Sequence, residues 1–135
     1  MIKDLLRYVS YILSIAVPTC ITSILVSKVG TGGGAIFPAL LTFFVPFGIG
    51  AGLARAVWRN LWLEVLVLAA LIGITIHGFR GVYSAFYRVP ARGGIDLIFR
   101  PYEQTYFMVG VAVVVGAIWL LTKGKARKAK DIGSE

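Results

Sequence analysis

The chain has 135 residues, of which 58% are hydrophobic and only 15% charged, and its formal net charge is +8. So few charged side chains cannot cover a soluble globule of this size, which excludes the soluble classes and indicates a membrane protein. The basic residues flank apolar runs, so we expect them to meet anionic lipid headgroups and not nucleic acid. No hydrophilic stretch is long enough for a second domain, and we predict one membrane domain over residues 1–135.

Four apolar runs are long enough to cross a hydrocarbon core, which about 20 helical residues span. They cover approximately residues 5–27, 35–54, 61–79 and 104–122. The pattern predicts an all-α polytopic membrane protein with four transmembrane helices, and a short interfacial helix in the third link.

The first run contains Pro18 near its middle, close to the hydroxyls of Ser14, Thr19, Thr22 and Ser23. Proline removes one backbone donor and frees a carbonyl, which hydroxyls can satisfy in lipid. A kink is the simpler interpretation, and a polar seam facing a partner helix is the alternative. The glycine-rich link after it, residues 28–34, lacks the Lys-Ser/Thr pair of a phosphate loop, so we predict a turn between antiparallel helices.

The second run carries Pro38 and Pro46, followed by Gly48 and Gly52. The two glycines have the spacing of small residues that lets helices approach closely, so they are candidates for helix packing. The length of the run favours a kinked full span, while the two prolines leave a broken helix or a re-entrant segment open.

Arg55 and Arg59 stand four residues apart and therefore lie on one face of a helix, with Trp58 and Trp62 interleaved. Arginine with tryptophan at the end of a span is typical of a membrane interface, so anchoring is the simpler interpretation. The functional alternative is a clamp in which both guanidinium groups bind an anion or a lipid headgroup.

The third run contains two ionisable groups, Glu64 and His77, which are candidate intramembrane polar residues. A charge within the hydrocarbon is costly, so Glu64 is expected to face protein, headgroups or water. It could pair with Arg55 or Arg59 or remain protonated, but the helical angle favours a partner on another span or subunit. The candidates within this chain are Lys3 and Arg7 on the first span and the tail lysines after the fourth. Ala69, Gly73, His77 and Gly81 recur every four residues, which predicts a close helix contact at Ala69 and Gly73.

The third link begins with aromatic and aliphatic residues at helical spacing, from Phe79 to Phe86, which indicates a helix lying along the membrane surface. Residues 89–94 are expected to break this helix. The apolar patch of residues 95–99 is then expected to end at Arg100-Pro101. The link is the predicted docking surface.

The fourth run ends in a basic tail, residues 123–135, which we expect to meet anionic lipid. Four spans place nine basic residues on the side of the termini: Lys3, Arg7, Arg55, Arg59, Lys123, Lys125, Arg127, Lys128 and Lys130. Five lie on the other side: Lys28, Arg80, Arg88, Arg92 and Arg100. The excess predicts cytoplasmic termini, and we expect the inner membrane of a bacterium.

A short chain with small-residue helix faces and no soluble domain is typical of a non-enzymatic subunit that packs into a larger membrane assembly, or self-associates. The alternative is a pore or a small transporter, including a holin-like protein, because short polytopic holins also end in a basic tail. An enzyme is not expected, since one His, one Cys and no paired carboxylates within a span leave few groups for acid–base or metal chemistry. No catalytic residue, cofactor or metal site is predicted.

Overall fold

The computed structural model describes residues 1–29, 41–57, 60–84 and 90–133, with side chains for all of these except 28–29 and 90–98. This part of the chain forms four α-helices and no strand. They are α1 (Ile2–Val29), α2 (Phe44–Ala56), α3 (Leu61–Tyr83) and α4 (Pro90–Gly133). The all-helical class predicted from the apolar runs is confirmed.

Three helices are long and apolar enough to cross a membrane by length and composition, namely Ile2–Ser27, Leu61–Tyr83 and Phe99–Gly133. The first, third and fourth predicted spans thus correspond to long apolar helices. Helix α2 has only 13 residues, and its length of about 20 Å at 1.5 Å per residue is less than a hydrocarbon core. The choice between a full and a broken second span falls on residues 30–40, outside the described ranges.

The four helices alternate in direction. Ile21 of α1 lies beside Gly78 of α3, and the charges of Lys3 and Arg7 reach Glu64, so α1 and α3 run the same way. Arg55 at the end of α2 shares a groove with Arg7 at the start of α1, which makes α2 antiparallel to both.

Helix α4 also runs antiparallel to α3, because Gln104 lies beside Gly78 whereas Met108, one turn later, lies nearer the start of α3 beside Leu71. The start of α1, the end of α2 and the end of α4 therefore lie at one end of the bundle, which we call the basic end. Helices α1 and α4 each pack against the α2–α3 pair.

The core lies where these helices meet, and its most buried apolar side chains are Ile21, Phe47, Val67, Leu71 and Met108, all 0% exposed. Gly50 of α2 sits against this core. A Cβ built on Gly50 would collide with the side chain of Leu71 and lie 3.3 Å from Met108 Cε. The missing side chain thus allows α2 to approach α3 and α4 closely, which matters in a membrane because packing must replace the hydrophobic effect.

Helix α4 differs from the prediction for the third link. The residues expected to break a helix include Pro90, which is instead the first residue of α4, where its fixed φ and missing N–H suit a helix start. The helix also continues through Arg100-Pro101, where the apolar patch was expected to end. Within the described ranges there is no separate interfacial helix, since α3 extends to Tyr83 and residues 90–98 form the first turns of α4.

The hydroxyls near Pro18 serve their own helix. Ser14 Oγ donates to the Ser10 carbonyl at 2.7 Å, Thr19 Oγ1 to the Ile15 carbonyl at 2.6 Å, and Ser23 Oγ to the Thr19 carbonyl. None of these bonds goes to the Ser14 carbonyl, the one that Pro18 frees, and Thr22 Oγ1 has no partner among the described residues. Helix α1 nevertheless continues through Pro18 without interruption.

The contrast between Gly50 and Gly52 gives a test of this packing. Gly50→Ala should lower the free energy of unfolding by up to about 2 kcal/mol, because overpacking typically costs about 1–3 kcal/mol and the gain in helix propensity offsets about 1 kcal/mol of it. Gly52→Ala adds the same methyl group where nothing lies within 4 Å, so it should leave stability unchanged or raise it by up to about 1 kcal/mol. Unfolding by SDS in mixed micelles, followed by circular dichroism, measures both. Equal effects of the two changes would contradict the packing of α2.

Candidate functional site

A polar cluster lies between α3 and α4, toward the end opposite the basic end. His77 of α3 and Glu103 of α4 form its exposed part, with Nε2 of the imidazole 3.2 Å from Oε2 of the carboxylate. Their side chains are 44% and 64% exposed, so the pair faces outward from the bundle. His77 was predicted as an intramembrane polar residue, whereas its partner was not, since nothing in the spacing of Glu103 along α4 indicates which helix it faces.

Arg100, about one turn before Glu103 along α4, holds α4 to the backbone of α3. Its Nη1 donates to the His77 carbonyl oxygen at 3.1 Å. The same nitrogen lies 3.5 Å from Nδ1 and 3.4 Å from Nε2 of the imidazole, distances too long and too similar for a well-aligned bond to either. The carbonyl is therefore the real acceptor, and the guanidinium rests beside the ring.

Gln104, one turn after Arg100 along α4, makes a second contact of the same kind. It is 1% exposed, and its Nε2 donates to the Ile74 carbonyl oxygen at 3.0 Å. Its Oε1 is buried without a hydrogen-bond partner among the described residues. Two polar side chains of α4 thus bond carbonyl groups of α3 that lie three residues apart.

Two glycines of α3 make this approach possible. A Cβ at Gly78 would lie 3.1 Å from Gln104 Nε2 and 3.0 Å from Ile21 Cδ1, and one at Gly81 would collide with the side chain of Arg100. Gly81 belonged to the predicted small-residue stripe, whereas Gly78 did not. The close contact of α3 with α4 therefore depends on Gly78 and Gly81, which are three residues apart, and not on the predicted four-residue stripe.

The cluster lies inside the apolar part of α3. His77 is about 24 Å along the helix from Leu61 at 1.5 Å per residue. A hydrocarbon core of about 30 Å that begins at Leu61 would end near Arg80, so the His77–Glu103 pair falls about one turn inside the boundary. Beside it is a shallow groove of about 340 Å³. Its lining consists of Gly73, Ile74, His77, Glu103, Gln104 and Phe107.

The four predicted packing residues, Gly48, Gly52, Ala69 and Gly73, all lie on outward faces. A Cβ at any of the three glycines would meet nothing within 4 Å. Among the residues that the structure describes they therefore make no close helix contact, and their role in helix packing stays a prediction. Four-residue spacing identifies a stripe on a helix, but it does not indicate which stripe turns inward.

Glu64 lies at the opposite end of α3 and is only 3% exposed, so it faces protein. It follows the N-cap Asn60, whose Oδ1 accepts from the backbone N–H of Trp62 at 3.1 Å. Both carboxyl oxygens are buried with no hydrogen-bond partner in the part of the chain that the structure describes. The cations whose fields reach this group are Lys3 and Arg7 of α1, which were among the in-chain candidates, and not the tail lysines that were the other candidates.

The predicted headgroup contacts are only partly described, because Arg59 lies outside the described ranges. Arg55 lines a groove of about 400 Å³ at the basic end, together with Arg7, Tyr8 and Tyr11. Arg7 also bonds Asp4, with Nη2 3.3 Å from Oδ1. No ion pair joins Arg55 to Glu64, and the anion or headgroup contact at Arg55 stays a prediction.

The chain matches no known protein family, no curated protein and no solved structure. Among the described residues, no three His, Cys, Asp or Glu side chains gather as a metal ion would require. The geometry of the polar cluster and of the surfaces beside it is therefore the basis for a functional proposal.

A double-mutant cycle tests whether the buried Glu64 carboxylate depends on the cations of α1. Glu64→Gln and Arg7→Gln should show a coupling energy of about 1 kcal/mol or more in SDS unfolding, since charges within one network are not additive. The cycle cancels the loss of the Arg7–Asp4 bond, which occurs in both backgrounds. As a control, Glu64→Gln should combine additively, to within about 0.5 kcal/mol, with Arg80→Gln at the far end of α3. Additivity in both cycles would show that the α1 cations do not stabilise Glu64.

Proposed function

We propose that this chain is a small non-enzymatic membrane subunit that binds another membrane protein through the α3–α4 face around Gly73, His77 and Glu103. The observation that supports the proposal is the exposed His77–Glu103 pair, which lies beside the apolar outward surfaces of α3 before His77 and of α4 after Glu103. The neighbouring groove supplies the shape for a partner helix.

The energetics of this pair favour a protein cover over lipid. A carboxylate at the centre of a span costs about 2.5–3.5 kcal/mol on insertion scales, and one turn inside the boundary still costs part of that. The His77–Glu103 contact offsets part of this cost and is an ion pair only when His77 is protonated, but the outward sides of both groups would still meet acyl chains. A partner helix that offers a hydrogen-bonding side chain would remove the contact with acyl chains.

Gly73 adds the geometric condition for such a partner. It lies one turn before His77 on the same face, and a Cβ there would meet nothing within 4 Å. Small outward residues let the backbone of a second helix come close, which is how membrane helices gain packing energy.

Between Phe107 and Leu121 the outward surface of α4 is apolar and does not select a face. Only 11% of the apolar window of α4 is buried, and Val109, Val113 and Leu120 point outward. Acyl chains cover such side chains without cost. The polar pair is thus what distinguishes the proposed docking face from the lipid-facing surface.

The alternative function is a homo-oligomeric pore or a small transporter. The same exposed His77–Glu103 pair would then face a water-filled lumen, which also avoids contact with lipid. In either case we place the chain in a bacterial inner membrane with both termini cytoplasmic, since the basic end of the bundle gathers the N-terminus, Arg55 and the end of α4.

Gly73→Leu is the variant that tests the docking face. The wild-type chain, tagged and purified in mild detergent from its native membrane, should give one stoichiometric complex in native mass spectrometry. Gly73→Leu should abolish that complex, because a leucine separates the two backbones, while the unfolding curve of the chain alone stays within about 1 kcal/mol of wild type.

Gly116→Leu is the matched control, since Gly116 lies about 140° round α4 from Glu103 at 100° per residue and a Cβ there meets nothing within 4 Å, so the complex should stay intact. Glu103→Gln should weaken the complex without a change in the fold. A homo-oligomer that conducts ions would favour the pore. A wild-type chain that purifies only as a monomer would contradict both functions.

A further inference from the structure

A second groove adjoins the polar cluster at the end of α3 and has a volume of about 710 Å³. Arg80 and Arg100 both line it, together with Ile76, Phe79, Tyr83 and Ser84. We infer that this groove binds the phosphate of an anionic membrane phospholipid, with Arg80 and Arg100 as the phosphate ligands. This inference does not depend on the proposed partner.

The charge within the groove indicates an anion. Two guanidinium groups share it, and none of its lining residues is a carboxylate. The nearest acid in the described cluster, Glu103, lines the neighbouring groove and bonds His77. The side chain of Arg80 makes no hydrogen bond or ion pair with any residue in the described ranges. Two like charges placed together without an acid are stabilised when one anion binds both.

Arg100 is held in position before any ligand arrives. Its Nη1 bonds the His77 carbonyl, and its Nε is buried without a partner among the residues that the structure describes. Guanidinium carries five N–H donors, so several remain for a ligand after the backbone bond is made. Fixing the side chain in this way reduces the entropy lost on binding.

The shape of the groove indicates a lipid as the source of the phosphate. Its lining includes Ile76 and Phe79, which precede Arg80 along α3, are 56% and 37% exposed and lie within the apolar part of that helix. Arg80 is about 28 Å along α3 from Leu61, at the edge of a hydrocarbon core of about 30 Å. The groove therefore offers an apolar wall to acyl chains on the membrane side and cations at the depth of the headgroups. Basic pockets between transmembrane helices bind anionic headgroups on the cytoplasmic side of membranes. This groove, at the end opposite the basic end, would bind a lipid of the other leaflet.

Arg80 also lies in the last turn of α3, where a cation interacts favourably with the helix dipole. The helix dipole would therefore explain a cation at Arg80 without any ligand. It does not explain why Arg100 of α4 lies in the same groove, or why apolar side chains lie beside both arginines. A lipid test must therefore separate binding from helix stability.

Native mass spectrometry of the full chain in detergent, titrated with phosphatidylglycerol or phosphatidylcholine, provides that test. One phosphatidylglycerol should bind in preference to phosphatidylcholine. Arg80→Gln should weaken this binding about tenfold, the effect of losing one charge-assisted bond. Lys125→Gln removes the same charge from the exposed helical segment at the basic end and should leave the affinity unchanged. Arg100→Lys keeps the charge but loses the fork, and it should weaken binding as well.

Circular dichroism unfolding curves accompany each variant, because Arg100 also holds α4. Arg80 is exposed, so Arg80→Gln should fold as wild type does and keeps the test decisive. Equal binding of the two lipids, an unchanged affinity in Arg80→Gln, or an equal loss in Lys125→Gln would overturn the inference. Displacement of the lipid by millimolar inorganic phosphate would assign the groove to a soluble anion and overturn the lipid assignment.

Discussion

The contact of α4 with the backbone of α3 over Gly78 and Gly81 is the interaction on which the rest of this structure depends. Gln104 and Arg100 donate to the Ile74 and His77 carbonyl groups at 3.0 and 3.1 Å. In apolar surroundings lipid competes equally for aliphatic side chains, so close packing and hydrogen bonds must hold the helices together. The two glycines supply the closeness, and the two polar side chains supply the bonds.

The same contact determines both surfaces to which we assign a function. Once Gln104 and Arg100 are bound to α3, Glu103 lies on the outward side of α4, next to His77. Arg100 must likewise lie at the level of Arg80, so two cations of different helices come to share a groove. The proposed docking face and the proposed headgroup site therefore follow from one register between two helices. The remainder of α4 stays outward and apolar, as a lipid-facing helix can.

The helical class and the three long apolar helices followed from the sequence, because length and hydropathy are local properties. Glu64 was expected to face protein, headgroups or water, and the sequence did not choose among these three; in the structure it is buried in protein. The helix contacts were not predictable in the same way. Gly73 has the spacing of a packing residue but faces outward, whereas Gly78 and Gly50, which were not singled out from the sequence, carry the close contacts. Which glycine turns inward is decided by the side chains of another helix. The pairing of His77 with Glu103 could not be predicted for the same reason, because it also depends on another helix.

The distance between α3 and α4 tests most directly whether α4 is seated on the backbone of α3. Spin labels at the outward positions Ile76 and Tyr106, in a Cys20→Ser background, would report it by double electron–electron resonance in lipid nanodiscs. Gly81→Leu should increase the distance by about 2 Å or more, because helix separation follows the size of the side chains at the contact. Gly110→Leu, which adds the same side chain where nothing lies within 4 Å, should leave it unchanged. An unaltered distance in Gly81→Leu would contradict the claim that α4 is seated on the backbone of α3.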